Sequence, residues 1–387
     1  MGSCSIESHL TAVIAHHHRR AAWDLLGEDS MRYSASGTFI TLVVALMATR
    51  VSVLAAQATS IRVLPVIGSA PETGFVGGAT ALRVSSSATD TSTRPSTDQF
   101  YAAYTAKQQF RAFVSTDRWS AGNRWGMNSQ LEYQRFPQPF YGIGIDAPES
   151  AEEWYEARSV IANVMGRRKL ARALYAQLGY RFSTTSIRDA DEGGMIDSGE
   201  LLGASGGVVS QLVGGGAWDS RDNIFAPTKG SFAQATVAYS DPALGADYRF
   251  ARYTADARRY RRIGRGVLAG QAYFEATSGD APFDQLSLLG SGMIMRGYVR
   301  GRYRDQDLAA AQLEFRMPVV GRFGAAAFAG AGTVAPNLSS LASTTVLPSY
   351  GAGVRWLLLP KQGTTVRVDY GMGKNASGLY IAFNEAF

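Results

Sequence analysis

From Ile61 to Phe387 the chain is punctuated by Gly, Pro, Asp, Asn and Ser clusters into sixteen segments in which apolar and polar side chains alternate. Alternation with a period of two marks a strand with two unlike faces, because successive side chains leave a pleated backbone on opposite sides. The segments span 61–69, 75–86, 98–106, 108–117, 125–136, 153–166, 170–184, 206–218, 230–240, 246–261, 265–278, 307–317, 322–333, 347–358, 363–372 and 378–386. In 307–317, Ala309, Ala311, Leu313, Phe315 and Met317 share one face, while Gln312, Glu314 and Arg316 share the other. In 246–261, Ala251, Tyr253, Ala255 and Ala257 oppose Arg252, Thr254, Asp256 and Arg258; in 363–372, Val366, Val368 and Tyr370 oppose Thr365, Arg367 and Asp369. A soluble sandwich turns its charged row to bulk water. Here both signs of charge recur in strand after strand, which suits a polar lumen inside a lipid-facing wall. The expected fold is all-β: a transmembrane antiparallel β-barrel of about sixteen strands.

The connections alternate in length, as such a barrel requires. Arg167–Lys169, Ile263–Arg265, Val319–Arg322 and Pro360–Gly363 read as short periplasmic turns; 137–152, 188–205, 279–306 and 334–346 read as long extracellular loops. Two connections depart from the rule: 87–97 is long for a turn and residue 107 is short for a loop, so the first boundaries are the least certain. An even strand number returns both ends to one side of the membrane.

The first 58 residues have a different character. Phe39 to Ala48 is an apolar run of signal-peptide length behind Met31-Arg32, and Ala56-Gln57-Ala58 fits the small-x-small cleavage pattern. The expected organisation is an N-terminal extension and signal peptide over 1–58, with translation starting at Met31 and cleavage after Ala58, followed by a barrel over 59–387. All four histidines and the single cysteine, Cys4, lie in the first eighteen residues. A chain cut after Ala58 therefore has no zinc site of the usual kind, no thiol nucleophile and no histidine base. No cofactor and no metal are expected. The net charge of +6 is spread out rather than clustered, which excludes a nucleic-acid footprint.

Four motifs carry more. The last segment, Gly378 to Phe387, puts Leu379, Ile381, Phe383 and Phe387 on one face and ends in an aromatic carboxyl residue, the form of strand read by outer-membrane insertion machinery through edge pairing. The segment Asp219-Ser220-Arg221-Asp222-Asn223, followed by Pro227-Thr228-Lys229-Gly230, resembles a turn of the BamA/TamA surface-antigen barrel superfamily. Met295-Arg296-Gly297-Tyr298 resembles that family's Arg-Gly-aromatic loop signature, and Phe140-Tyr141-Gly142-Ile143-Gly144 matches a recurrent segment of it. The resemblance covers about 61–387 and suggests a truncated form without periplasmic POTRA domains.

Physically, Asp219, Asp222 and Asn223 suit the bonding of backbone amides in a tight turn, with Pro227 and Gly230 setting its dihedrals. That role is structural, not catalytic. The resemblance implies that Arg296 folds back into the lumen onto acidic residues of the wall. The family's usual wall Asp is replaced here by Gly330, within Phe328-Ala329-Gly330-Ala331-Gly332. Glu314 and Asp369, both inward by alternation, become the candidate partners, since an unpartnered buried charge is costly. On the same reasoning, replacing Gly330 by Asp is expected to be tolerated.

Relatives of this type insert or translocate proteins, so the leading expectation is a non-enzymatic assembly or transport barrel working through a weak seam between first and last strands or a gated lumen. Its partners would be outer-membrane lipid, the machinery that inserts it and a protein client. A passive pore and a structural or adhesive surface protein are the rivals. An outer-membrane lipid hydrolase of the familiar type needs a His beside its Ser, which the barrel region lacks. N-terminal sequencing of the membrane-extracted protein should read Thr59-Ser60-Ile61; peptides from residues 1–30 in that material would overturn both start site and cleavage.

Overall fold

A computed structural model describes residues 57–87, 93–224, 226–359 and 364–387. The strands follow in chain order: β1 (Gln57–Ala70), β2 (Gly74–Ser87), β3 (Ser96–Thr105), β4 (Phe110–Trp119), β5 (Trp125–Phe140), β6 (Glu153–Lys169), β7 (Leu174–Arg188), β8 (Gly206–Asp219), β9 (Gly230–Ser240), β10 (Phe250–Ile263) and β11 (Gly266–Gly279). After them come β12 (Ser287–Leu289), β13 (Tyr303–Asp305), β14 (Asp307–Val320), β15 (Phe323–Ala335), β16 (Leu347–Leu359), β17 (Thr364–Gly373) and β18 (Ala376–Phe383). Sixteen of them close into one antiparallel barrel; β12 and β13 form a separate two-stranded sheet within the loop between β11 and β14. No described helix is long and apolar enough to cross a membrane. In hydrocarbon every backbone polar group must find a partner in the protein, and closure of a sheet is the β solution.

The two faces separate as the alternation demands. On β14, Ala311, Leu313, Phe315 and Met317 are exposed outward while Gln312, Glu314 and Arg316 are buried inward. Exposed tryptophans stand on the outer face at the short-turn end (Trp125, Trp218 and Trp356), and exposed tyrosines at the long-loop end (Tyr104, Tyr239, Tyr253, Tyr350 and Tyr370). Such aromatic girdles mark the two interfaces of a membrane-spanning barrel. The lumen is filled at one side by the 280–306 loop, whose Leu289, Met295 and Tyr298 pack with Leu308, Val334 and Leu347.

Closure is uneven. β1 pairs with β2 over its full length, from Gln57 with Ser87 to Ala70 with Gly74. It pairs with β18 only at Ser69 with Ile381. β18 stops at Phe383, and Asn384 adopts φ 61°, which ends the extended run. The remaining residues turn into the barrel, so the lower length of β1 faces no strand on that side.

Several boundaries differ from the sequence reading. Arg167, Arg168 and Lys169 belong to β6, and the turn is 170–173: long cations at a barrel rim can continue the ladder while their heads reach water. β7 accordingly begins at Leu174, and β10 at Phe250 because Asp241 caps the short helix Pro242–Leu244 ahead of it. β1 begins at Gln57. The expected start at Met31 and the apolar run before Ala56 lie outside the described residues, as does the turn Pro360–Gly363. A closed sheet of this size resists detergent at low temperature. The purified protein should migrate faster unheated than boiled on a semi-native gel, and identical mobility would contradict closure.

Candidate functional site

The site grows from glycines on β16 and β17. Gly351 lies opposite Phe328, and a Cβ there would come within 2.5 Å of the Phe328 ring, so only glycine lets that ring lie flat on the wall. On the ring rests the guanidinium of Arg296, 3.5 Å from its centroid. Gly371 and Gly373 on β17 make the second recess: side chains at these positions would strike the backbone of Arg296 and the ring of Tyr298 respectively. The loop can therefore lie against the wall along Met295 to Tyr298. Met295 (φ 56°) takes the left-handed region there, a conformation that surrounding contacts must hold, and Gly297 (φ 115°) takes positive φ without a side-chain penalty. Those contacts are plain. The Arg296 carbonyl accepts from Ser349 Oγ at 2.5 Å and the Gly297 amide donates to Tyr380 at 2.9 Å. Tyr298 donates to the Pro348 carbonyl and accepts from the Lys374 amide, each at 2.7 Å.

Arg296 is fully buried and donates through Nη1 to Asp369 at 2.6 Å and through Nη2 to Glu314. The two acids named from alternation thus meet the loop arginine. They also meet cations that the sequence reading did not single out. Glu314 accepts from Arg316 Nε at 2.7 Å and lies 3.3 Å from Arg355 Nη2; Asp369 accepts from Arg367 at 2.7 Å and from Arg355. Glu385 joins through Arg355 at 2.8 Å. The result is a network of Arg296, Arg316, Arg355 and Arg367 with Glu314, Asp369 and Glu385. Alternation assigns Arg316, Arg355 and Arg367 to the lumen, so the signal was present; which inward cations share one acid depends on register across three strands.

Gly330 faces the lumen opposite Gln312, but a Cβ there would stand 2.8 Å from the Ala311 carbonyl and 2.9 Å from the Gln312 Cβ. This argues against the expectation that aspartate would be tolerated: a side chain there would force the Ala311 backbone to shift, and Arg296 already has two carboxylates.

Phe387 also departs from the reading. Leu379 and Phe383 are exposed on the outer face, with Ile381 half-buried beside them, but Phe387 is buried inside. The turn at Asn384 breaks the alternation that placed it outward. Its ring packs with Tyr260 and Ala269 beneath the Arg316 guanidinium, and its main-chain oxygen accepts from Arg316 at 2.7 Å.

In the turn between β8 and β9 the expected Asx bonding is present in part. Asp222 accepts from the Thr228 amide at 2.9 Å, the Thr228 hydroxyl at 2.5 Å and the Lys229 amide at 3.2 Å. Burial would raise this carboxyl, yet the bonds from Thr228 and Lys229 hold it below the usual range. Asn223 accepts from the Ala226 amide, Pro227 is buried, and Gly230 (φ 101°) approaches the Ser220 carbonyl too closely for any side chain. Asp219 does more than cap. It pairs with Arg221 at 2.9 Å and with Arg94 at 2.7 Å, tying the long connection after β2 to this turn. Phe140 to Gly144 docks on the long loop: Phe140 lies edge-on to Phe283, and the Gly144 amide donates to Arg304 at 2.8 Å.

A closed sixteen-strand barrel whose longest loop sends an arginine onto wall acids is one observation; a family match is the other. The profile of the Omp85 superfamily domain matches residues 77–378. The chain belongs to the Omp85 superfamily. No curated protein matches it. Among solved structures it is similar to BamA from Haemophilus ducreyi lacking POTRA domains 1–3, at 14% identity and a TM-score of 0.58, over 85% of this chain and 70% of that one. It is also similar to CdiB from Acinetobacter baumannii, at 12% identity and a TM-score of 0.53, over 85% of this chain and 65% of that one. Membership of the Omp85 superfamily and the sixteen-strand barrel place the chain in the bacterial outer membrane, in a family of assembly and transport barrels rather than enzymes.

The network's charge count orders the expected effects of mutation. Arg296→Ala leaves three arginines facing three carboxylates, so the acids keep partners and the main loss is the loop's anchor. Asp369→Asn leaves four arginines facing two carboxylates and should cost more, about 3–5 kcal/mol. Urea titration of the heat-modifiable form should rank Asp369→Asn below Arg296→Ala, and Gly330→Asp should also lie below wild type. The reverse order would show that Arg296, not charge balance, holds the cluster.

Proposed function

We propose that this barrel aids the insertion or transport of a protein client at the outer membrane, and that its working element is the seam between β1 and β18. The observation that carries this reading is the single register pair, Ser69 with Ile381, against full-length pairing of β1 with β2. An unpaired strand edge offers a row of N–H and C=O groups, which is the template for adding a strand from another chain. The inward turn after Phe383 leaves that edge free toward the short-turn end. The lumen reading is weaker as a route, because the 280–306 loop and the charged network occupy the interior around Arg296. We further propose that the outer residues Leu379, Ile381 and Phe383, with Phe387, form the element by which the chain's own insertion is recognised.

The test is to lock the seam. Directly paired antiparallel residues stand about 4.5–5.5 Å apart at Cα, within the span a disulfide bridges. Because Ile381 belongs to the proposed recognition element, the double variant Ser69→Cys, Ile381→Cys is compared under reducing conditions with the single variant Ile381→Cys, whose outer-membrane level it should match. When oxidised it should alter the outer-membrane proteome in the manner of a deletion, and reductant should restore the wild-type profile. A locked barrel that leaves the proteome unchanged would overturn the seam reading, and steady conductance from it in planar bilayers would favour a pore.

A further inference from the structure

One patch of the outer wall has no part in the seam or the lumen. Five exposed alanines lie in register across five consecutive strands: Ala233 on β9 opposite Ala257 on β10, then Ala272 on β11, Ala311 on β14 and Ala331 on β15. At about 4.8 Å between strands, the row runs roughly 19 Å across the wall. Many other lipid-facing positions carry large side chains, such as Val63, Leu212 and Val354, although Ala235, Ala327 and Ala329 extend the small-residue surface beside the row. Here the missing bulk leaves a trough of about 750 Å³ with a mainly apolar lining, which includes Arg259 and Ser231 at one end.

That end is defined in depth. Ala233 lies opposite Trp218 of the short-turn girdle, and Ser231, the partner of Arg259, lies two residues further toward the periplasm. Tryptophan girdles sit at headgroup level, so Arg259 stands at or just beyond the phosphates of the periplasmic leaflet. Arg261 shares its outward face one step further out, and both side chains are exposed. Arg259 Nη1 donates to Ser231 Oγ at 2.5 Å. Among the described residues neither arginine forms an ion pair with an acid, whereas the inward Arg258 is paired with Asp256 at 2.5 Å. Two unneutralised guanidinium groups at phosphate depth, beside an apolar trough about as long as a stretched acyl chain, fit the two halves of one amphiphile. A guanidinium binds a phosphate bidentately, and a recessed wall surrounds a chain with more dispersion contacts than a flush one.

We propose that this face binds an anionic phospholipid of the periplasmic leaflet, with the phosphate on Arg259 and Arg261 and one acyl chain in the alanine trough. The full-length barrel, extracted in mild detergent, would be titrated with palmitoyl-oleoyl phosphatidylglycerol or the matching phosphatidylcholine and analysed by native mass spectrometry. Wild type should retain one phosphatidylglycerol in preference to phosphatidylcholine. The double variant Arg259→Gln, Arg261→Gln should lose that preference with a drop of roughly tenfold in apparent affinity. Ala311→Leu, which fills the trough from the lipid side, should weaken both lipids alike. Folding of each variant is checked by heat-modifiable migration, and glycerol phosphate at the same concentrations should not compete. Unchanged phosphatidylglycerol binding in the folded double variant would overturn the proposal, as would binding indifferent to Ala311→Leu. Loss of a crosslinked periplasmic protein with lipid binding intact would assign the arginines to protein docking instead.

Discussion

The whole molecule answers to one constraint: inside hydrocarbon a backbone amide without a partner costs several kcal/mol, and no water is present to supply one. A sheet meets it by closing. Fifteen of the sixteen junctions in this barrel do so over most of their length, and the sixteenth, between β1 and β18, does so at one position. Such an uneven distribution concentrates the cost at a single line of the wall. The strands that meet there are also those whose ends are least tied, since β18 is the shortest strand of the barrel and yields to a tail that turns inward.

Inside, the problem is electrostatic rather than one of hydrogen bonding. Four arginines and three carboxylates share the space between β14, β16, β17 and the tail, and no pair among them stands alone. Removing one partner from a buried ion pair is costly because it strands the other. A network spreads that cost: Asp369 keeps Arg355 and Arg367 if Arg296 leaves. The stacked ring of Phe328 adds a term that does not depend on charge count, and Gly351 makes the stacking possible. Loop and wall are thus joined by interactions of three kinds, aromatic, ionic and backbone, at one point.

Alternation made most of this legible in the sequence. It separates Leu313 from Glu314 and Val368 from Asp369, and it puts both acids where a returning loop arginine would need them. It failed where the chain leaves the pleat. Continuing the period from Phe383 puts Phe387 outward, and one left-handed residue, Asn384, cancels that count. The run Arg167–Lys169 reads as a turn, but charge at a barrel rim does not end a strand. At Gly330 the sequence shows only that an acid is missing, whereas the space beside it is limited by the Ala311 carbonyl across the sheet, a distance that no pattern along the chain encodes. Arg94 bonding to Asp219 belongs to the same class, since it joins residues 125 positions apart.

The inward tail has a consequence in time. Before the barrel closes, Asn384 to Phe387 end an extended polypeptide and are open to anything that reads an aromatic terminus. Afterwards Phe387 lies against Tyr260 beneath Arg316, and Glu385 is held by Arg355. Any factor that grips this terminus must therefore release it for the last contacts to form. If Phe387 is part of the element we propose to be read at insertion, the contacts it makes in the closed barrel would hide that element once folding is complete.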